Sequence, residues 1–180
     1  MPESHDLVAI LPMKANSERV KGKNFKMLNG KPLYKWVLDT LLSLKEIDLI
    51  IINTDAFELI KEFPYKSSKI LIRERRKELC GDFVSMNKII KDDISNIDSK
   101  IYLMTHTTNP FLSTFTMSEA IKVFNNFNKK EKYDSLFSVN KVQTRFYSGN
   151  GTPINHDPNE LIRTQDWMGI KLGLLQIKDK

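Results

Sequence analysis

Residues 7–24 read Leu7-Val-Ala-Ile-Leu11-Pro12-Met-Lys14-Ala-Asn16-Ser17-Glu-Arg19-Val-Lys21-Gly22-Lys23-Asn24. The first five are a continuous apolar run, far too short for a signal or membrane-spanning helix, and Pro12 cuts it off. An unalternating run of that length is the pattern of a strand buried on both faces. The residues after it are polar, basic and small. A buried strand opening into such a loop is how an open α/β sheet begins, and such sheets bind ligands beyond the carboxyl ends of their strands.

Outward from this stretch, apolar runs alternate with helical patterns. A helix is expected from about Pro32, with Leu33, Trp36, Val37, Thr40, Leu41 and Leu44 on its apolar face. Leu49–Ile52 reads as a second strand, and Ala56–Phe63 as a short helix that Pro64 stops. Lys69–Ile72 reads as a third strand. Asp82 is positioned to cap a helix with Met86, Ile89, Ile90 and Ile94 inward. Ile101–Met104 reads as a fourth strand. Ser113 or Thr114 then caps a helix burying Met117, Ala120, Ile121, Phe124 and Phe127, and Ser135–Val139 reads as a fifth strand. The expected fold is three-layer α/β: a mostly parallel sheet, helices on both faces, right-handed crossovers. Trp36, Phe124 and Phe127 read as core. The chain is expected to be one domain: a core over 1–139, an irregular excursion or hairpin over 140–166, and an atypical end over 167–180.

The chain has 180 residues, 28 Lys+Arg, 22 Asp+Glu and a net charge of +6. Lys14, Arg19, Lys21, Lys23, Lys26, Lys31 and Lys35 lie together with one acid, Glu18, so this stretch alone carries the whole excess. The remainder balances. A nucleic-acid-coating protein would be basic in many places and would interleave aromatics, so the pattern points to a local anion site instead. Cys80 is the single cysteine, which excludes an internal disulfide framework and a Cys-rich zinc site. His5, His106 and His156 show no metal-motif spacing. No membrane segment is expected, and the cytoplasm is the default compartment.

The loop after the first strand holds neither G-x-x-x-x-G-K-S/T nor G-x-G-x-x-G. Charge and position leave two readings open: a phosphate site built on backbone N–H groups and lysines, or a solvated lysine-rich loop.

Leu11–Asn24, followed by Leu28-Asn-Gly-Lys-Pro-Leu33, resembles the N-terminal signature of the acylneuraminate cytidylyltransferases, roughly I-P-A-R-G-G-S-K-x-I-P-x-K-N and then L-x-G-K-P-L. Ser17, Lys23 and Asn24 match it. Lys14 stands where the family has arginine, Ala15-Asn16 replaces its two glycines, and Lys21 replaces a proline and reads as solvated. Four further blocks follow in family order. Asn53-Thr54-Asp55 is similar to S-T-D. Arg75-Arg-Lys-Glu78-Leu79-Cys-Gly-Asp82 is similar to R-P-x-E-L-A-x-D. His106-Thr-Thr108-Asn-Pro110 is similar to Q-P-T-S-P, and Arg163-Thr-Gln-Asp166 to R-T-Q-D.

The resemblance implies a nucleotide-diphospho-sugar transferase-like fold. The implied reaction joins CTP to an acidic 2-keto-3-deoxy sugar, giving a CMP-sugar and pyrophosphate. Lys14 and Lys23 would act on the triphosphate. Leu11, Asn16, Ser17, Asn24, Arg75, Asp82 and Ser85 would complete the nucleotide site. His106, Thr108, Lys141, Arg145 and Arg163 would face the sugar acid. Each has a plainer alternative: a helix cap for Asp82, a structural histidine for His106, a surface arginine for Arg163. Asp55 reads as a turn former. The resemblance also implies Mg2+ and a homodimer. After Asp166 neither the family's E-N-G-x-x-Y-I-F-type strand nor its acidic metal-binding pair is found, so no metal ligand is assigned. A truncated or frame-shifted product is the favoured explanation over a divergent short member, and weak or absent turnover is expected. The alternatives are a cytidylyltransferase for the eight-carbon acid Kdo and a nucleotide-binding remnant without catalysis.

Overall fold

β-branched and leucine side chains on both faces of a short run favour a strand that two helical layers cover. In the computed structural model, which describes residues 4–61, 67–128, 133–139, 144–160 and 163, the run Leu7–Leu11 is almost entirely buried. It forms most of β1 (His5–Ile10). β2 (Met27–Leu28) and β3 (Lys31–Pro32) make a small antiparallel hairpin. α1 (Leu33–Ser43), β4 (Leu49–Thr54), α2 (Phe57–Lys61), β5 (Ile70–Glu74), α3 (Met86–Asn96), β6 (Ser99–Met104) and α4 (Thr114–Asn128) follow.

The main sheet has the order β5-β4-β1-β6. All three pairings are parallel, with Ala9 beside Ile50 and Leu103, and Ile51 beside Leu71. The chain moves from β1 to β4 and β5 on one side, then returns past β1 to β6 on the other. Right-handed crossovers place α1 and α2 on one face and α3 on the opposite face. Val8, Ile10 and Ile51 accordingly form a cluster that Ile90 of α3 and Ile97 at its end pack against. The reversal of direction makes the gap beyond the ends of β1 and β6 the topological switch point.

Several expected elements shift. The buried residues of α1 are Tyr34, Val37, Leu38 and Leu41, so the core face is rotated from the expected one. Trp36 is half-buried, because its indole N–H donates to the Leu28 carbonyl at 3.0 Å and the Lys31 ammonium lies 4.0 Å from its ring centroid. Thr40 turns to the Leu112 carbonyl at 2.9 Å. Burial drives the phenol of Tyr34, a core residue, up to about 12. In α3 the buried residues are Ile89, Asp92 and Asp93, while Ile94 is exposed. The cap of α3 is Ser85, whose hydroxyl accepts from the Asn87 N–H; Asp82 is too far upstream and pairs with Lys14 instead. Ser113 caps α4 by accepting from Thr116 N–H. The hairpin was not among the expected elements, although Asn29-Gly30, both at positive φ, is the standard signal for one.

Two compact units divide the chain, Met1–Ser118 and Glu119–Lys180. The first holds the sheet. In the second, residues 135–139 form no strand, which corrects the expectation of a fifth: Phe137 and Val139 are about half exposed, and the segment joins no ladder among the described residues. A strand needs a paired edge, and a five-residue run with three apolar side chains does not by itself supply one. The excursion does contain a hairpin-like turn, with Tyr147 bridged to Pro153 and Gly151 at φ +83°. The strand expected over Met168–Ile177 lies outside the described residues.

Candidate active site

Gly22 adopts φ +60°, a conformation open to residues without a Cβ, and starts a single 3-10 turn, Lys23–Phe25. That turn drives Asn24 into the interior, where it is 4% exposed. Its Nδ2 donates to the Lys14 carbonyl at 2.8 Å, and its Oδ1 accepts from the Thr107 hydroxyl at 2.6 Å. The loop after β1 is thereby tied to the loop after β6. On the other side, Asp55 accepts from the Ala15 N–H at 2.6 Å. The Lys14–Ala15 peptide is held at both ends. One residue earlier, the Met13 N–H donates to the Asn53 carbonyl at 3.0 Å, and the Met13 carbonyl accepts from Arg75 Nη2 at 3.0 Å. Side chains from beyond β4 and β5 therefore fix the backbone on either side of Lys14, and one from beyond β6 holds Asn24, which does the same.

A buried polar network supports this clamp. Arg75 is 4% exposed and donates through Nε to Asn53 Oδ1 at 2.8 Å. Asn53 donates to Asp93 at 2.8 Å, and Arg73 and Arg76 close ion pairs with Asp93 and Asp92. Burial lowers the Arg75 guanidinium and raises the Asp93 carboxyl from their ordinary values. Asn53 and Arg73 oppose the latter by hydrogen bonding and charge. Arg75 Nη1 and Asp93 Oδ2 are buried without a partner among the described residues. The network supports the clamp from below, and its Arg73, Asp92 and Asp93 members are ones that sequence patterns did not indicate.

Lys14 is the half-buried cation at the centre. Its ammonium donates to the Gly81 carbonyl at 2.8 Å and pairs with Asp82 at 3.2 Å. Among the described residues no three His, Cys, Asp or Glu side chains converge as a metal cage. The chemistry this arrangement can supply is anion positioning and charge neutralisation beside fixed backbone, as phosphoryl transfer requires.

The cytidylyltransferase family model matches residues 8–170. The chain belongs to the cytidylyltransferase family. It is 26% identical over 176 residues to the N-acylneuraminate cytidylyltransferase of Oncorhynchus mykiss, covering 93% of this chain and 39% of that protein. It is 24% identical over 123 residues to the 3-deoxy-manno-octulosonate cytidylyltransferase of Christiangramia forsetii, covering 68% of this chain and 47% of that one. The solved structure of CMP:2-keto-3-deoxy-manno-octonic acid synthetase complexed with CTP shares the fold at a TM-score of 0.55 and 16% identity, over 67% of this chain and 48% of its own. The chain spans less than half the length of each of these cytidylyltransferases.

Within this cytidylyltransferase chain the structure gathers Lys14, Asn24, Arg75 and Asp82 around one loop. The side chain of Leu11 is core and its N–H serves the ladder to Ile51, which leaves only its carbonyl for a ligand. Asn16 is exposed, and Ser17 and Lys23 are half-buried on the same loop. Arg75 points inward to Asn53 and Met13. Ser85 is engaged as the cap of α3. His106 and Thr108 are exposed, flanking the buried Thr107. Arg145 and Arg163 belong to the second unit, and Lys141 lies outside the described residues. Lys31, one of the seven clustered cations, pairs with Asp39 in the hairpin-helix corner. Asp55 and Thr107 are the two residues of the site that the motifs did not mark as more than turn and spacer.

Proposed function

We propose that the chain is a nucleotidyltransferase that moves CMP from CTP to an acidic 2-keto-3-deoxy sugar of the sialic or related nonulosonic acid class, releasing pyrophosphate. The observation that supports it most strongly is the clamped Lys14 peptide at the β1–β6 switch point, the place where an open α/β sheet presents its ligand site.

In this reading Lys14 and Lys23 neutralise the triphosphate, and Ser17 donates to it. The loop's exposed face, at Asn16, covers the nucleotide. The anomeric oxygen of the sugar attacks the α-phosphorus as the bond to the bridging oxygen breaks, and both lysines offset charge moving onto pyrophosphate. His106 and Thr108 face outward from the neighbouring loop to orient the sugar. Magnesium would accompany the triphosphate, because hard cations are commonly held by one or two carboxylates plus substrate phosphates. No ligand in the described residues is assigned to it, since Asp55 and Asp82 are already engaged by Ala15 and Lys14. A homodimer and a cytoplasmic setting belong to the same reading. Among the described residues no helix is long and apolar enough to cross a membrane.

The test is pyrophosphate release from CTP and magnesium with each acid in turn. Slow release that depends on a sialic acid is expected. Release with Kdo alone would move the substrate to the eight-carbon acid. CTP binding with no release from any acid would leave a nucleotide-binding module and refute the transferase reading.

A further inference from the structure

Thr107 sits between the two residues of its loop that sequence reasoning singled out, His106 and Thr108. Unlike them it is 5% exposed, and its hydroxyl donates to Asn24 Oδ1 at 2.6 Å across 83 residues of chain. A primary amide has an acceptor end and a donor end. The nitrogen of Asn24 faces the Lys14 carbonyl at 2.8 Å. The opposite orientation would set the amide oxygen against that carbonyl oxygen, so the carbonyl, which can only accept, fixes which way the amide points. The Thr107 hydroxyl donates to the amide oxygen that this leaves facing it, and so anchors the far end of the Asn24 side chain. The Asn24 amide in turn holds one end of the Lys14–Ala15 peptide, whose other end is held by Asp55.

We infer that Thr107 is a positioning residue for nucleotide binding. Acting through Asn24, it orients the Lys14–Ala15 peptide and hence the Lys14 ammonium, and it couples the loop after β6 to the phosphate loop. The inference rests on the nucleotide reading above. The coupling has a consequence for order: a ligand that shifts the loop carrying His106 and Thr108 pulls on Asn24, and thereby on the cation that meets the triphosphate.

Thr107→Val keeps the shape and removes the hydroxyl, leaving Asn24 Oδ1 buried and unsatisfied. Thr107→Ser keeps the hydroxyl, and Thr107→Cys offers a weaker donor of similar size. Two readings are taken on each variant: CTP affinity by calorimetry, and amide hydrogen exchange at Ala15. T107V is expected to weaken CTP binding about tenfold, the scale of one unmet buried acceptor, and to speed Ala15 exchange. T107S is expected to match the wild type in both, and T107C to fall between. If T107V does not fold, the ranking of T107S against T107C carries the test. T107V indistinguishable from wild type, or T107S as impaired as T107V, would overturn the inference. Failure of the wild type to bind CTP would sink the nucleotide reading instead; Ala15 exchange then still decides whether Thr107 orients the loop, and unchanged exchange would refute it.

Discussion

Lys14 differs from the other basic residues of its stretch in what holds it. Arg19, Lys21 and Lys26 are exposed, whereas the backbone around Lys14 is fixed by Asn53, Asp55, Arg75 and Asn24. Its ammonium is occupied by Asp82 and the Gly81 carbonyl. A carboxylate on that ammonium competes with phosphate for the same charge. Exposed pairs contribute about 0.2–1 kcal/mol, so Asp82→Asn is expected to tighten CTP binding by up to about fivefold. Calorimetry on the two proteins measures this, and weaker binding by D82N would show instead that the carboxylate touches the nucleotide. At this scale the closeness of Lys14 and Asn24 was legible, because both lie on one short signature. Thr107 and the Arg73–Asp92–Asp93 cluster were not. Their partners are 83, 19 and 20 residues away, and no local pattern expresses a pairing at such distances. Two adjacent acids facing inward on α3 even run against the periodicity that sequence reading relies on.

The strands of the main sheet were legible because continuous apolar runs have few other folded fates in a chain of this size. Helix existence was legible too, but not helix rotation. Trp36 fits a helical stripe on α1, but its indole N–H meets the Leu28 carbonyl near the surface, and Tyr34 takes the buried place. Residues 135–139 had strand composition but pair with no strand among the described residues. The start of β4 carries its own device: Asp48 accepts from the N–H groups of Asp6 and Leu7 at 2.8 and 3.0 Å, joining the first turns of β1 and β4. The Leu7 hydrogen bond leads in holding the Asp48 carboxyl below its ordinary 3.8. A carboxylate depressed in the folded state stabilises above its unfolded value, and that contribution is lost as pH falls through the folded value. Asp48→Ala should therefore lower the urea midpoint at neutral pH, with the deficit shrinking as the pH is taken below the ordinary 3.8 and through the lowered folded value. A deficit that stays constant across that range would show that the carboxylate charge is not what joins the strands.

At the scale of the whole molecule, an otherwise balanced chain places its +6 in one segment, and that segment begins at the end of β1, beside the switch point of the sheet. Charge, topology and the clamped peptide converge on one loop. The proposed function reads that loop as the nucleotide site. The most direct check is calorimetric titration of CTP into the wild-type chain and into Lys14→Met, which keeps the length of the side chain and removes its charge. The account predicts saturable binding by the wild type, and binding at least tenfold weaker in the variant, the loss of one charge-assisted phosphate contact. Equal affinities, or no heat from the wild type at millimolar CTP, would contradict it.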